Sequence, residues 1–397
     1  MSLGKTAKNA TIYTVALVVQ KIISFVYFSY LAIILGPEKL GIYSYSLSIL
    51  ATAVIFTDFG INNVITREVA ADQSKTLPLI KVTNKLKRYL SVITFIGIIL
   101  FCLFVESDNY IKTIILLAGI SMIGDTFANV YFSVLRGLQK LSTESLMAIV
   151  SPLISAVLGV LVVIYTQDLR LLATSLVVGS WLSFIYGYTA VKRINLDSKI
   201  NINTKELVNL VGPFAVASVS NKIYGYADTI LIRFLSSASQ LGYYGLAYKA
   251  TFALQFIPLA AMAGVYPAMS NACAENDNQR LYKLLTTSLK YVLSLGLPLA
   301  VVAFVFAEDL ITTVYGTQFN GAIKPLMILF LSLPMLFSTF PLGAWLNATR
   351  KQTANTRNVV ITMLTSVGLN LIFLPKFGAV GAASISLFST FLLFSLH

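Results

Sequence analysis

Residues 15–43 read VALVVQKIISFVYFSYLAIILGPEKLGIY, and residues 216–244, displaced by a constant 201 positions, read VASVSNKIYGYADTILIRFLSSASQLGYY. Aligned without a gap, eight positions coincide: Val15/Val216, Ala16/Ala217, Val18/Val219, Lys21/Lys222, Ile22/Ile223, Leu40/Leu241, Gly41/Gly242 and Tyr43/Tyr244. Apolar stretches share letters by chance, but a lysine shared inside both is harder to dismiss. Lysine at a bilayer centre costs at least about 2.5–3.5 kcal/mol. The pair reads as an internal repeat, each half carrying one cation near the membrane midplane.

The rest of the chain fits that frame. Of 397 residues, 57% are hydrophobic and 11% charged, against roughly 25% charged in soluble domains. Apolar runs of about 20 residues, the length a bilayer demands, recur throughout. The chain therefore reads as an all-α, polytopic membrane protein. Its net charge of +13 is better explained by cytoplasmic loop anchors than by nucleic acid. Cys102 and Cys273 lie too far apart in sequence to imply a disulfide framework. The first apolar run is too long for a cleavable signal peptide, and no small-residue cleavage site follows it.

Twelve spans are expected, near 9–35, 41–65, 87–105, 111–135, 145–165, 171–191, 208–234, 242–268, 284–306, 322–345, 358–374 and 378–396. Gly36-Pro37 ends the first and Pro375 separates the last two. The longest polar connection, KRINLDSKININTKE at 192–206, follows six spans. An even number makes the repeat parallel, about an axis along the membrane normal. The expected organisation is an N-terminal six-helix lobe at 1–191, a cytoplasmic linker at 192–207 and a C-terminal lobe at 208–397.

Orientation follows from the basic residues between spans. With the N-terminus inside, the cytoplasmic segments hold Lys5, Lys8, Arg67, Lys75, Lys81, Lys85, Lys87, Arg88, Arg136, Lys140, Lys192, Arg193, Lys199, Lys205, Arg280, Lys283, Arg350, Lys351 and Arg357. The other face holds only Lys39, Lys112, Arg170, Lys324 and Lys376. Both termini are therefore expected in the cytoplasm, and the protein in the cell (inner) membrane.

Ionisable groups at membrane depth are the pointers to function. Lys21 lies about 12 residues into its helix, roughly 18 Å at 1.5 Å per residue. Lys222 sits at similar depth, and Arg233, eleven residues on, returns to the same face with Tyr226. Lys249 adds a cation in the eighth span. Arg233 and Lys249 either face a cavity or snorkel to the interface, and Arg67 either anchors the inner face or contacts substrate. Three acids, Asp58, Asp125 and Asp228, fall inside spans; each either carries a proton or coupling cation or partners a buried cation. Asp58 and Asn62 are read as neighbours on one helix face. No nucleophile–base constellation, metal-ligand cluster or phosphate-binding loop is present, so neither catalysis nor a cofactor is expected.

Several motifs, weak singly, occur in order along the chain: Leu35-Gly36-Pro37-Glu38-Lys39-Leu40-Gly41-Ile42-Tyr43, Asp58-Phe59-Gly60 with Thr66-Arg67-Glu68, Val134-Leu135-Arg136-Gly137-Leu138, Leu241-Gly242-Tyr243-Tyr244 with Ala247-Tyr248-Lys249, Tyr315-Gly316 with Phe319, and Phe377-Gly378-Ala379-Val380-Gly381-Ala382-Ala383. Together they resemble the Wzx-type polysaccharide-biosynthesis flippases of the multidrug/oligosaccharidyl-lipid/polysaccharide (MOP) superfamily. The resemblance implies two six-helix lobes, MATE-like, around a cationic cavity. It implies a polyprenyl-diphosphate-linked oligosaccharide moved from the inner to the outer leaflet, for O-antigen, capsule or exopolysaccharide, with membrane lipids around it. H+ or Na+ would drive the movement, and polysaccharide polymerase and glycosyltransferases would be partners. Lys21, Lys222, Arg233, Lys249 and Arg67 would line the cavity. The alternatives are a cation-coupled multidrug exporter, a peptidoglycan-precursor flippase, and a non-transporting membrane assembly protein. Lys21 is the only charge in the apolar core of the first span, which favours an anionic substrate over the cations of a multidrug exporter.

Overall fold

The computed structural model describes residues 3–194 and 202–397. Lys199, and the side chains of Lys5, Lys8, Val216 and Ala217, lie outside the described residues. The described chain is helical: α1 (Leu3–Asp58), α2 (Ile61–Ala71), α3 (Thr76–Phe104), α4 (Asn109–Gly137), α5 (Leu141–Tyr165), α6 (Leu169–Lys192), α7 (Thr204–Leu235), α8 (Ala238–Ala253), α9 (Phe256–Ala274), α10 (Asn278–Val305), α11 (Ala307–Leu310), α12 (Ile323–Leu331), α13 (Leu333–Ala348) and α14 (Gln352–Leu396).

Among the described residues, eight helices are long and apolar enough to cross a membrane, or nine if the bent pair at 317–348 is one span. The chain is a multi-pass membrane protein. The count falls short of the twelve spans expected, and the difference lies in α1, α14 and α7. At 56 and 45 residues, α1 and α14 run far beyond a hydrocarbon core of about 30 Å. Each is broken by a glycine outside the helical region: Gly36 at φ 72° and Gly378 at φ 51°, values a side chain strongly disfavours. Pro37 sits just past the first break, where a missing N–H costs nothing. Pro375, expected to separate the last two spans, lies inside α14, and the chain bends instead at Gly378. The broken ends are capped by side chains: Gln318 donates to the Ile33 carbonyl at 3.2 Å, and the Ala379 N–H donates to Gln240 Oε1 at 2.9 Å.

Two boundaries differ from the sequence expectation for clear reasons. The second span stops at Asp58 rather than 65, because Phe59 (φ 44°) and Gly60 (φ 84°) both adopt left-handed backbone. The following α2 is short and amphipathic. It buries Ile61, Val64, Ile65 and Val69 against Leu79 of α3 and Val130, Val134 and Leu135 of α4, and exposes Asn63 and Arg67. Helix α3 begins at Thr76 rather than near 87, which brings Lys81, Lys85 and Lys87 inside a helix.

The chain groups into two compact units, one of Met1–Tyr27 and Ser46–Lys222, the other of Phe28–Tyr45 and Ile223–His397. In the first, α4 packs along α6 and against α2, α3 and α5. In the second, α10 and α14 pack on α12 and α13, α9 lies against α10 and α13, and α8 contacts α12 and α14. The sequence repeat reappears as geometry inside the second unit. A Cβ on Gly41 would run into the Ala238 carbonyl, and a Cβ on Gly242 into that of Pro37. Positions 37 and 238, like 41 and 242, differ by the same 201, so each glycine meets the repeat equivalent of the other's neighbour. Reciprocal contact of this kind is what a two-fold relation produces.

Candidate functional site

In the first unit the left-handed break after Asp58 sets up a polar cluster. Asp58 Oδ1 accepts from the Asn62 backbone N–H at 3.4 Å, across the break. Asp58 and Asn62 therefore converge by a turn between two helices, not as neighbours on one helix face as expected. Lys87 of α3 reaches both: its Nζ donates to Asp58 Oδ1 at 3.1 Å and to Asn62 Oδ1 at 3.0 Å. The Lys87 side chain is 0% exposed and that of Asp58 13%. Lys87, counted from sequence among the cytoplasmic anchors, is instead a fully buried cation. One signal in the sequence points to it: Thr83, Lys87, Ser91 and Thr94 recur at helical spacing and are all buried. Next to α2, Thr57 Oγ1 hydrogen-bonds Thr126 Oγ1 of α4 at 2.9 Å.

Lys222 lies within electrostatic reach of both Asp58 and Lys87. It is half-buried and makes no hydrogen bond or ion pair with the described residues. Lys21 sits on an exposed stretch of α1. Asp125 of α4 is half-buried, and its carboxylate has no hydrogen bond or ion pair among the described residues. Arg67 is exposed on α2 and pairs with its neighbour Glu68 at 2.9 Å, which Lys75 also contacts at 3.1 Å. These two cations hold the Glu68 carboxyl below its usual range despite its partial burial.

In the second unit Asp228 of α7 is 8% exposed and is met by neutral donors. Tyr244 Oη of α8 donates to Oδ2 at 2.8 Å, Asn370 Nδ2 of α14 to Oδ1 at 2.8 Å, and Ser366 Oγ to Oδ1 at 3.5 Å. Ser366 and Asn370 share a face because they are four residues apart on one helix. The other end of the amide, Asn370 Oδ1, is buried with no hydrogen-bond partner. Tyr244, the repeat partner of Tyr43, begins a stacked ladder with Tyr248 and Phe252. The alternative read from sequence, that Asp228 partners a buried cation, is not what the fold builds. Arg233 lies 5.4 Å from the Tyr45 ring centre and Lys249 5.5 Å from that of Phe28, so both cations rest on aromatic faces contributed by α1. A cavity of about 650 Å³ between α9 and α10 is lined by Phe256, Ile257, Ala260, Val265, Tyr291 and Leu295, with none of the candidate cations or acids among its walls.

Residues 6–273 match the family described as "Polysaccharide biosynthesis protein". The chain belongs to this family. Residues 213–374 also match the MatE family. Among relatives of the polysaccharide biosynthesis family protein, the "Probable low-salt glycan biosynthesis flippase Agl15" of Haloferax volcanii is 22% identical over 354 residues, 88% of this chain and 73% of that one. The "Capsular polysaccharide biosynthesis protein CapF" of Staphylococcus aureus is 20% identical over 358 residues, 87% of each chain. Among solved structures, the lipid II flippase MurJ in an inward closed conformation superposes with a TM-score of 0.72 at 17% identity, covering 97% of this chain and 86% of that one. An inward-facing multidrug MATE transporter gives 0.71 at 15% identity, covering 97% and 92%. The family member thus has the helical MOP-superfamily fold.

Proposed function

We propose that the protein is a flippase of polysaccharide biosynthesis that carries a polyprenyl-diphosphate-linked oligosaccharide from the cytoplasmic to the outer leaflet of the cell membrane. The observation that carries this reading is the pair of lysines at repeat-equivalent positions, Lys21 and Lys222. A diphosphate is at least a dianion, and cations at membrane depth lower its cost of leaving water. The names of the Haloferax and Staphylococcus relatives support a glycan pathway, and the MurJ likeness supports a fold suited to a lipid-linked cargo. Two six-helix halves, 1–191 and 208–397, with cytoplasmic termini, would carry the alternation of access.

Movement against a gradient without nucleotide hydrolysis needs a coupled ion. Asp228 is the favoured group. Its surroundings offer a carboxylate, the Tyr244 and Ser366 hydroxyls and the unpartnered Asn370 Oδ1. Oxygen donors of this kind suit H+ or Na+ and no fixed countercharge opposes them. Asp125 is the second candidate. Asp58, already paired with Lys87, is the weakest.

The test is complementation of a flippase-null strain, scored by surface polysaccharide with abundance checked by blot. Lys21→Ala and Lys222→Ala are each expected to abolish or sharply reduce export while membrane insertion continues, and Lys→Arg to retain more activity. Normal export by the double alanine variant at normal abundance would refute the cationic site. Asp228→Asn is expected to remove the dependence of transport on an ion gradient.

A further inference from the structure

The Asp58 cluster holds two cations and one anion, and its hydrogen bonds are uneven. Oδ1 takes both Lys87 Nζ and the Asn62 N–H, whereas Oδ2 accepts no hydrogen bond from the described residues. Lys87 is fully enclosed and cannot follow a ligand. Lys222 is half-buried, unpaired, on a flexible four-carbon stem, and within reach of the charge of Asp58. A fixed cation thus neutralises one side of the carboxylate and leaves the other side facing a movable one.

We propose that Asp58 is an internal stand-in for the substrate anion: Lys222 docks its ammonium on Asp58 Oδ2 when the site is empty and leaves it for the diphosphate when substrate arrives. Lys87 is the positioning residue of this exchange. By occupying Oδ1 it keeps Asp58 anionic and aimed, and it weakens the hold of Asp58 on Lys222 enough for a dianion to win. A monoanionic carboxylate already shared with Lys87 is a poorer partner for an ammonium than a diphosphate. The same carboxylate competes for Lys222 after translocation and so speeds release. A ligand shifts such a balance only by its differential affinity for the two positions of Lys222. The inference rests on the flippase reading for its substrate, but its central claim concerns diphosphate and Lys222 and is tested without transport.

The test compares wild type with Asp58→Asn/Lys87→Met, which removes one positive and one negative charge together and leaves the local net charge unchanged. Inorganic pyrophosphate binding to purified protein is measured by calorimetry. Without its competitor the double variant is expected to bind about tenfold more tightly, the equivalent of one charge-assisted contact. The gain is expected to vanish when Lys222→Ala is added to both backgrounds, which assigns it to that lysine. In proteoliposomes with a fluorescent short-chain polyprenyl diphosphate disaccharide, the double variant should show a lower half-saturating concentration and a turnover about tenfold lower. Equal pyrophosphate affinity in the two proteins, or a gain that survives Lys222→Ala, overturns the proposal. A second variant, the swapped pair Asp58→Lys/Lys87→Asp, keeps a buried ion pair but presents a cation to Lys222, and should bind pyrophosphate without the competition. Failure of both variants to accumulate would assign the pair to folding alone and also overturn the proposal. A wild type that binds pyrophosphate as described yet moves no lipid-linked probe would defeat the flippase reading and leave the exchange standing.

Discussion

Asp58 and Asp228 are both carboxylates at the inner packing of a membrane protein, yet the two units treat them in opposite ways. Asp58 is neutralised by a buried ammonium, with Asn62 assisting. Asp228 is surrounded by a phenol, an alcohol and an amide, all neutral. A salt bridge fixes the charge of both partners and resists exchange, because breaking it strands an ion in low dielectric. A carboxylate held by neutral dipoles keeps the freedom to trade a proton or a small cation for its negative charge. The contrast assigns Asp58 to holding and positioning, and Asp228 to coupling.

The contrast can be broken most directly at Asp58. Asp58→Asn strands the fully enclosed Lys87 and is expected to cost about 3–5 kcal/mol, read as a large drop in melting temperature in detergent. Little change would mean that the pair is not a true buried ion pair. Asp228→Asn removes charge-assisted hydrogen bonds but strands no ion, so a smaller cost of about 1.5–3 kcal/mol is expected. A larger loss than that of Asp58→Asn would reverse the comparison. Ser366→Ala, which deletes the longest of the three bonds to Asp228, is expected to cost about 0.5 kcal/mol while still shifting the ion dependence of transport.

The smallest effect is expected where the same charges meet in water. Asp168 caps α6 and pairs with Arg170 at 2.7 Å on an exposed loop. The hydrogen bond from Arg170, ahead of the cap N–H and Tyr110, depresses the Asp168 carboxyl from 3.8 to about 2. A depressed acid contributes stability above its unfolded value and loses it as pH falls through the folded one. The contribution of Asp168 is therefore constant above about pH 4 and fades toward pH 2. Asp168→Asn retains the cap and should leave the melting temperature nearly unchanged at pH 7, since solvent screens exposed pairs. A drop rivalling that of Asp58→Asn would show that burial is not what separates these ion pairs.

Membrane crossing, the 201-residue repeat and the break at Gly36-Pro37 were legible in the sequence, because hydropathy, identity and backbone freedom belong to the residues themselves. So was the presence of Asp58, Asp125 and Asp228 at depth. Their partners were not. Lys87 looked like one more cytoplasmic anchor until α3 was found to begin at Thr76 and turn it inward. Asn370 and Ser366 are single polar letters in an apolar run 138 and 142 residues from Asp228, in the order Ser366 then Asn370, and only the packing of α14 joins them to it. Arg233 and Lys249 read equally well as cavity cations or snorkelling ones, and the rings of Tyr45 and Phe28 became their neighbours only through the placement of α1. Which residues are apolar or charged is written along the chain. Which charge meets which is set by helix contacts between distant segments, and a cation's sequence position carries almost no information about the acid or ring it will finally face.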